Sequence, residues 1–181
     1  LAATASQYLA HDHFIHQRDE FGVFTPVDNE DWAAARTQCI GGSDISTVMG
    51  LWGREQFNEL LEEKRTGVQF FTGNLRTWVG SSMEGPIYRR FRDGKIDNMA
   101  DVPSGDVVGW NSINAIRFDE FNPAFSCTPD IEIGDEIRHN VIDLTAVINM
   151  KFTGKWQKSM PSDSMRMQVN WEMMVCRVEV G

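Results

Sequence analysis

Asp130, directly after Pro129 in Ser126-Cys127-Thr128-Pro129-Asp130, and Lys151, near the end of the apolar run 141–152, have the types and settings that suit catalysis. A carboxylate holds a hard divalent cation, and an ammonium beside it serves the attacking water or the scissile phosphate. Metal-dependent phosphodiester cleavage needs that pairing. Taken separately, Pro129-Asp130 only opens a turn, and Lys151 is a strand-end charge snorkelling to solvent. Glu84 falls at the edge of an apolar helical stripe, where a side chain can point into a site. Ile40-Gly41-Gly42-Ser43-Asp44-Ile45 reads as a tight turn feeding a helix whose exposed N–H groups suit an anion. Its plainer role is a turn in which Ser43 or Asp44 caps that helix. His11, His13 and His16 form an HxHxxH cluster able to bind metal, although a solvated terminal helix accounts for them better.

The elements that must position these residues follow from periodicity and punctuation. Residues 5–21 suit a helix, ended by Thr25-Pro26. Asp28 or Asn29 caps a short helix over 30–38, carrying Trp32 and Arg36. An amphipathic helix over 57–64 ends near Gly67. Residues 73–92 form a longer helix whose Leu75, Val79, Met83, Ile87 and Phe91 mark a core-facing stripe. Antiparallel strands are expected over 107–110 and 113–118, with Pro103-Ser104-Gly105 as punctuation. A third strand covers 126–133, Gly134-Asp135-Glu136 turns, and a fourth, most buried strand covers 141–152. Ser162 or Asp163 caps a closing helix over 164–177. Helices, then a sheet, then a helix predict an α/β/α sandwich.

With 181 residues the chain suits one domain with a single core, and its 6 Trp and 11 Phe supply bulky material for it. A division into an extension over 1–30 and a domain over 31–181 follows. The net charge of −9 argues against a general polyanion binder, yet a few basic residues lining one groove can set the local field. Cys39, Cys127 and Cys176 are scattered, without a CxxC pair, which predicts reduced thiols in an intracellular, cytoplasmic protein. No stretch approaches the 18 or so consecutive apolar residues of a membrane span, and the start lacks the basic and apolar regions of a signal peptide.

Five segments, in order over residues 32–175, resemble the YqaJ/lambda-exonuclease branch of the PD-(D/E)xK nuclease superfamily, the phage-type recombination exonucleases. Trp32-Ala33-Ala34-Ala35-Arg36 with Ile40-Gly41-Gly42-Ser43-Asp44-Ile45 resembles the entry motif of that family. Gly80-Ser81-Ser82-Met83-Glu84-Gly85-Pro86 resembles its helical segment. Cys127-Thr128-Pro129-Asp130 and Asn149-Met150-Lys151 resemble its catalytic strands, and Pro161 followed by Met167-Gln168-Val169-Asn170-Trp171 its closing helix. The resemblance implies a restriction-endonuclease-like core, a central mixed sheet flanked by helices. It implies Mg²⁺ or Mn²⁺ held by Asp130, Glu84, Asn149 and the Met150 carbonyl. Lys151 would orient or deprotonate the water, Gln168 would position water or nucleotide, and Arg36 with Ser43 would grip the terminal phosphate of DNA. Its further implications are double-stranded DNA ends as substrate, a homo-trimer, and a single-strand annealing protein as partner.

One position departs from the family pattern: Asn149 stands where the family has Glu or Asp. An amide oxygen ligates without bringing charge, which weakens attraction for a divalent ion. Three outcomes follow: catalysis with fewer acidic ligands, substitution by another carboxylate, or DNA binding without catalysis. Asp143 shares the strand face but lies about 20 Å away at strand rise. Glu172, one helical turn after Gln168 and on the same helix face, is the better substitute. On the under-charged reading, Asn149→Glu raises activity. The competing functions are a DNA-end-binding or assembly module without catalysis, and an acidic interaction protein supported only by net charge.

Overall fold

The computed structural model describes residues 17–19, 22–68, 73–93, 107–111, 114–134, 144–150 and 161–178. The helix expected over 5–21 with its three histidines falls almost wholly outside them. So do Pro103-Ser104-Gly105, most of the turn after Gly134, Asp143 and Lys151. The described residues form an α/β fold of five helices and two small antiparallel sheets.

Local chemistry starts and stops the helices. Asp28 caps α1 (Asn29–Thr37), its Oδ1 accepting the N–H groups of Glu30 and Asp31 at 2.9 Å each. Helix α2 (Ile45–Val48) is a single turn. Helix α3 (Arg54–Thr66) ends on Gly67, whose φ of 74° is the left-handed conformation that glycine adopts without strain. The hydroxyl of Ser162 accepts the Met165 N–H at the start of α5 (Asp163–Cys176). Helix α4 (Leu75–Arg92) corrects the expected stripe. Leu75 is 74% and Met83 38% exposed, while Tyr88 and Phe91 pack on the core. Every fourth position advances about 40° beyond a full helical turn, so the row winds off the buried face.

Strands β1 (Val23–Phe24), β3 (Ile116–Phe118) and β4 (Ser126–Cys127) form one sheet, in the order β1-β3-β4. Strands β2 (Val107–Trp110), β5 (Ile131–Gly134) and β6 (Leu144–Ile148) form the other, in the order β2-β5-β6. Instead of one central mixed sheet, the described strands thus make two antiparallel ones, with parallel pairing only at the bridge Ile40–Phe125. The strands expected over 107–110 and 113–118 part company, because Asn114 adopts a φ of 53° and Asn111 clasps Ala115 through both side-chain amide atoms. The single strand expected over 126–133 breaks at Thr128-Pro129-Asp130, where proline has no N–H for a ladder, and the chain crosses from one sheet to the other. Val23 and Phe24 are both 97% buried, so the packed unit reaches into the stretch set apart as an extension.

Each sheet contributes a core cluster. Phe24, Ala35, Cys39, Ile116 and Phe118 pack with Trp32, and Ile131, Ile133 and Ala146 pack with Tyr88, Phe91, Ile148 and Met150. A buried ion pair ties the sheets together: Arg117 of β3 donates Nε and Nη2 to the two carboxylate oxygens of Glu132 of β5, at 2.6 and 2.7 Å. Burial alone would lower the Arg117 pKa, but the Glu132 carboxylate outweighs it and holds the guanidinium charged. Helix α5 lies against β3, β4, β6 and α2, while α4 lies against β2. No helix of the described residues is long and apolar enough to cross a membrane.

Candidate functional site

Asp130 stands at the sheet-to-sheet crossing, one residue before β5. Its Oδ2 accepts the Met150 N–H at 2.5 Å, and its carbonyl accepts the Asn111 N–H at 3.1 Å. The register pairing of Ile131 with Ile148 brings these ends level. Asp130 and Asn149-Met150, far apart in sequence, therefore meet at one end of the second sheet.

Helix α5 closes over this point. Asn149 donates its Nδ2 to Glu172 Oε2 in a short hydrogen bond. Gln168 donates its Nε2 to Glu172 Oε1 at 2.9 Å and to Asn149 Oδ1 at 3.3 Å. Glu172 is only 1% exposed, so these amide donors offset the cost of removing its carboxylate from water. The carboxylate also fixes the Asn149 amide, because only its nitrogen can face an acceptor. Gln168 and Glu172, one turn apart, share the face expected of them.

The Gly41-Gly42 turn stands between this cluster and a second one. A Cβ on Gly42 would lie 2.7 Å from Glu172 Oε1 and 3.1 Å from Gln168 Cγ. One on Gly41 would lie 2.6–2.9 Å from the Arg36 guanidinium. Close approach, and not left-handed backbone, thus favours glycine at Gly42, whereas at Gly41 the neighbour is the far end of the flexible Arg36 side chain. The exposed helix-start amides expected here are absent. The Gly41 N–H is buried and donated to Asp44 Oδ2 at 2.9 Å, Asp44 makes no side-chain cap, and α2 is too short to offer an anion site.

Arg36 Nη2 donates to Ser43 Oγ at 2.7 Å and lies 3.5 Å from Asp44 Oδ1, with its guanidinium 5.5 Å from the centre of the Trp32 ring. Lys64 of α3 pairs with Asp44 at 2.8 Å and donates to the Arg36 carbonyl at 2.7 Å. Nothing in the spacing marks Lys64, because its partners Arg36 and Asp44 belong to other elements of the chain. Trp32, Arg36, Ser43 and Asp44 line a cavity of about 1130 Å³ that also takes in Trp52, Glu63, Asn74 and Thr77. Arg36 Nε and Trp32 Nε1 are buried there without a hydrogen-bond partner among the described residues. With Glu63 also on the cavity wall, the two cations Arg36 and Lys64 meet two carboxylates, so the cluster carries no net charge of its own.

Glu84 lies on α4, half-buried, next to Gly85. A Cβ on Gly85 would meet the Trp110 ring at 3.0 Å, and Tyr88 stacks on the same ring at 5.8 Å. Trp110 is register-paired with Ile131, so α4 crosses β2 at the end where Asp130 precedes β5. Lys151 follows Met150 directly and lies outside the described residues. Asp130, Glu84, the Asn149 amide and the Met150 carbonyl are all hard oxygen donors, which fit Mg²⁺ or Mn²⁺ in kind. Among the described residues no three His, Cys, Asp or Glu side chains gather as a metal centre, so this donor set draws on neutral oxygens.

No protein-family model, curated protein or solved structure matches the chain.

Proposed function

We propose that the protein is a metal-dependent deoxyribonuclease that digests double-stranded DNA from its ends, on a core of PD-(D/E)xK type. One observation carries this reading: Asp130, Asn149-Met150 and the Gln168–Glu172 pair converge from a sheet crossing, a strand end and the last helix. A bound Mg²⁺ or Mn²⁺ would lower the pKa of water and offset negative charge at the phosphate. Asp130 would be its central protein ligand, already held in place by the Met150 N–H, with Glu84 reaching it from α4, directly or through water. Gln168 would position water or the nucleotide, and Lys151, next in sequence to the cluster, would orient or deprotonate the water. Arg36 and Ser43 would hold the terminal phosphate, with Lys64 balancing Asp44. A homo-trimer and a single-strand annealing partner complete the phage-type recombination reading.

A second reading, a DNA-end-binding or assembly module of weakened catalysis, draws on the same Asn149. Its neutral amide is committed to Glu172, whose carboxylate is in turn taken up by the Asn149 and Gln168 amides. Digestion of end-labelled linear duplex with Mg²⁺ or Mn²⁺ separates the two. Metal-dependent shortening from the ends supports the nuclease. End binding that is weakened by Arg36→Ala, without shortening at any metal concentration, supports the module.

A further inference from the structure

The thiols of Cys127 and Cys176 lie 3.3 Å apart, sulfur to sulfur, the first on β4 and the second on the last residue of α5. We propose that these two cysteines are a site of reversible oxidation, forming an intramolecular disulfide on exposure to a hydroperoxide. The bond length of a disulfide is about 2.05 Å, so closure needs only about 1.3 Å of approach between the sulfurs. Both thiols are free, and neither belongs to the Asp130 or Arg36 clusters.

The surroundings assign distinct parts to the two cysteines. Cys127 is fully buried, whereas Cys176 is partly exposed at a helix terminus. Cys176 is therefore the sulfur a small oxidant reaches first. Attack of its thiolate on hydrogen peroxide breaks the O–O bond, gives the sulfenic acid and releases water once a proton is taken up. Attack of the Cys127 sulfur on that sulfenic sulfur then forms the S–S bond, and the hydroxyl leaves with the Cys127 proton as a second water. Two thiols and one peroxide become one disulfide and two waters, and a dithiol reductant reverses the change. Cys39 is excluded by geometry. It accepts the Ser126 hydroxyl at 2.9 Å, and neighbouring residues of a strand face opposite ways, so Cys39 and Cys176 lie on opposite sides of β4.

The bond would tether β4, three residues before Asp130, to the helix that carries Gln168 and Glu172. The intact chain is to be treated with hydrogen peroxide, blocked with an alkylating agent and mapped by peptide mass spectrometry, alongside Cys39→Ser and Cys176→Ser. The expected result is a Cys127–Cys176 linked peptide within one chain, present in wild type and Cys39→Ser and lost in Cys176→Ser. A rise in thermal midpoint should accompany it and vanish with dithiothreitol. Irreversible sulfinic acid at Cys176 without a link, a bond involving Cys39, or links only between chains would each overturn the proposal. The wild-type map decides the matter even if a variant fails to fold, and no DNA substrate enters the test.

Discussion

Asn149 and Glu172 form one hydrogen-bonded unit: the residue just past β6 supplies the neutral amide and the buried helix residue supplies the negative charge. This relationship changes what the departure at Asn149 means. An acidic residue there would face another carboxylate, and like charges at such range cannot both ionise without cost. Asn149→Glu, expected to help an under-charged site, should instead fail to raise activity. Asn149→Asp should destabilise the fold by about 1–3 kcal/mol in urea denaturation, the range for a buried polar group left unsatisfied. The exchange Asn149→Asp with Glu172→Gln restores a carboxylate–amide pair in reverse. It should recover most of that loss and retain metal-dependent digestion.

Catalysis and end capture should separate by substitution. Asp130→Asn keeps an oxygen for the Met150 N–H but removes the charge. It should lower digestion by about 100-fold or more, since disturbing groups that merely orient a metal ligand already costs 10–100-fold. Binding to duplex ends, measured without turnover, should change little. Arg36→Ala should weaken end binding and flatten its dependence on salt. Arg36→Lys should not rescue it, because a lysine cannot make the paired contacts of a guanidinium.

The two glycines of the turn should respond differently. In Gly42→Ala the new methyl meets Glu172 and Gln168 within a packed cluster, so digestion and stability should both fall, the latter by about 1–3 kcal/mol. In Gly41→Ala the nearest atoms to the methyl belong to the guanidinium of Arg36, the far end of a flexible side chain. Stability should change less, and the defect should appear in affinity for DNA ends. Equal defects in both variants would count against two separate clusters.

Arg117→Ala leaves the Glu132 carboxylate buried between the sheets without its bidentate partner. A loss of roughly 3–5 kcal/mol is expected from chemical denaturation. Arg117→Met combined with Glu132→Leu removes both charges and should come much closer to wild type. If Arg117→Ala alone is neutral, the pair does not join the sheets.

Stability should also depend on alkaline pH. Burial pushes the thiols of Cys39 and Cys127 above their ordinary value of 9.0, and for Cys127 the neighbouring Cys176 and Glu172 push further the same way. A raised folded-state pKa favours the protonated thiol in the fold. That contribution is complete below pH 9.0 and is lost as pH rises from there through the folded-state values. Under reducing conditions the urea midpoint should decline above pH 9.0, and Cys127→Ala should remove part of the slope while lowering the plateau.

Local chemistry made much of the chain legible before any coordinates. Asp28, Gly67 and Ser162 act within a few residues of themselves, so the helices they bound could be read directly. The pairing of Gln168 with Glu172 follows from helical spacing alone. The winding of the α4 stripe was equally implicit in 3.6 residues per turn, but which part of it meets a sheet depends on where Trp110 lies. The break at Pro129 could be suspected from its missing N–H, whereas the switch between sheets could not. That switch rests on Arg117 reaching Glu132 and on Met150 reaching Asp130, contacts between residues distant in the chain. The Gly41-Gly42 turn shows the limit most clearly. Its composition announces a tight turn, and only tertiary packing decides that Arg36 crowds it on one side and Glu172 on the other. Sequence fixes local dihedral preference and hydrogen-bonding capacity; side chains far apart in the chain become partners only when two sheets and a closing helix exclude water between them.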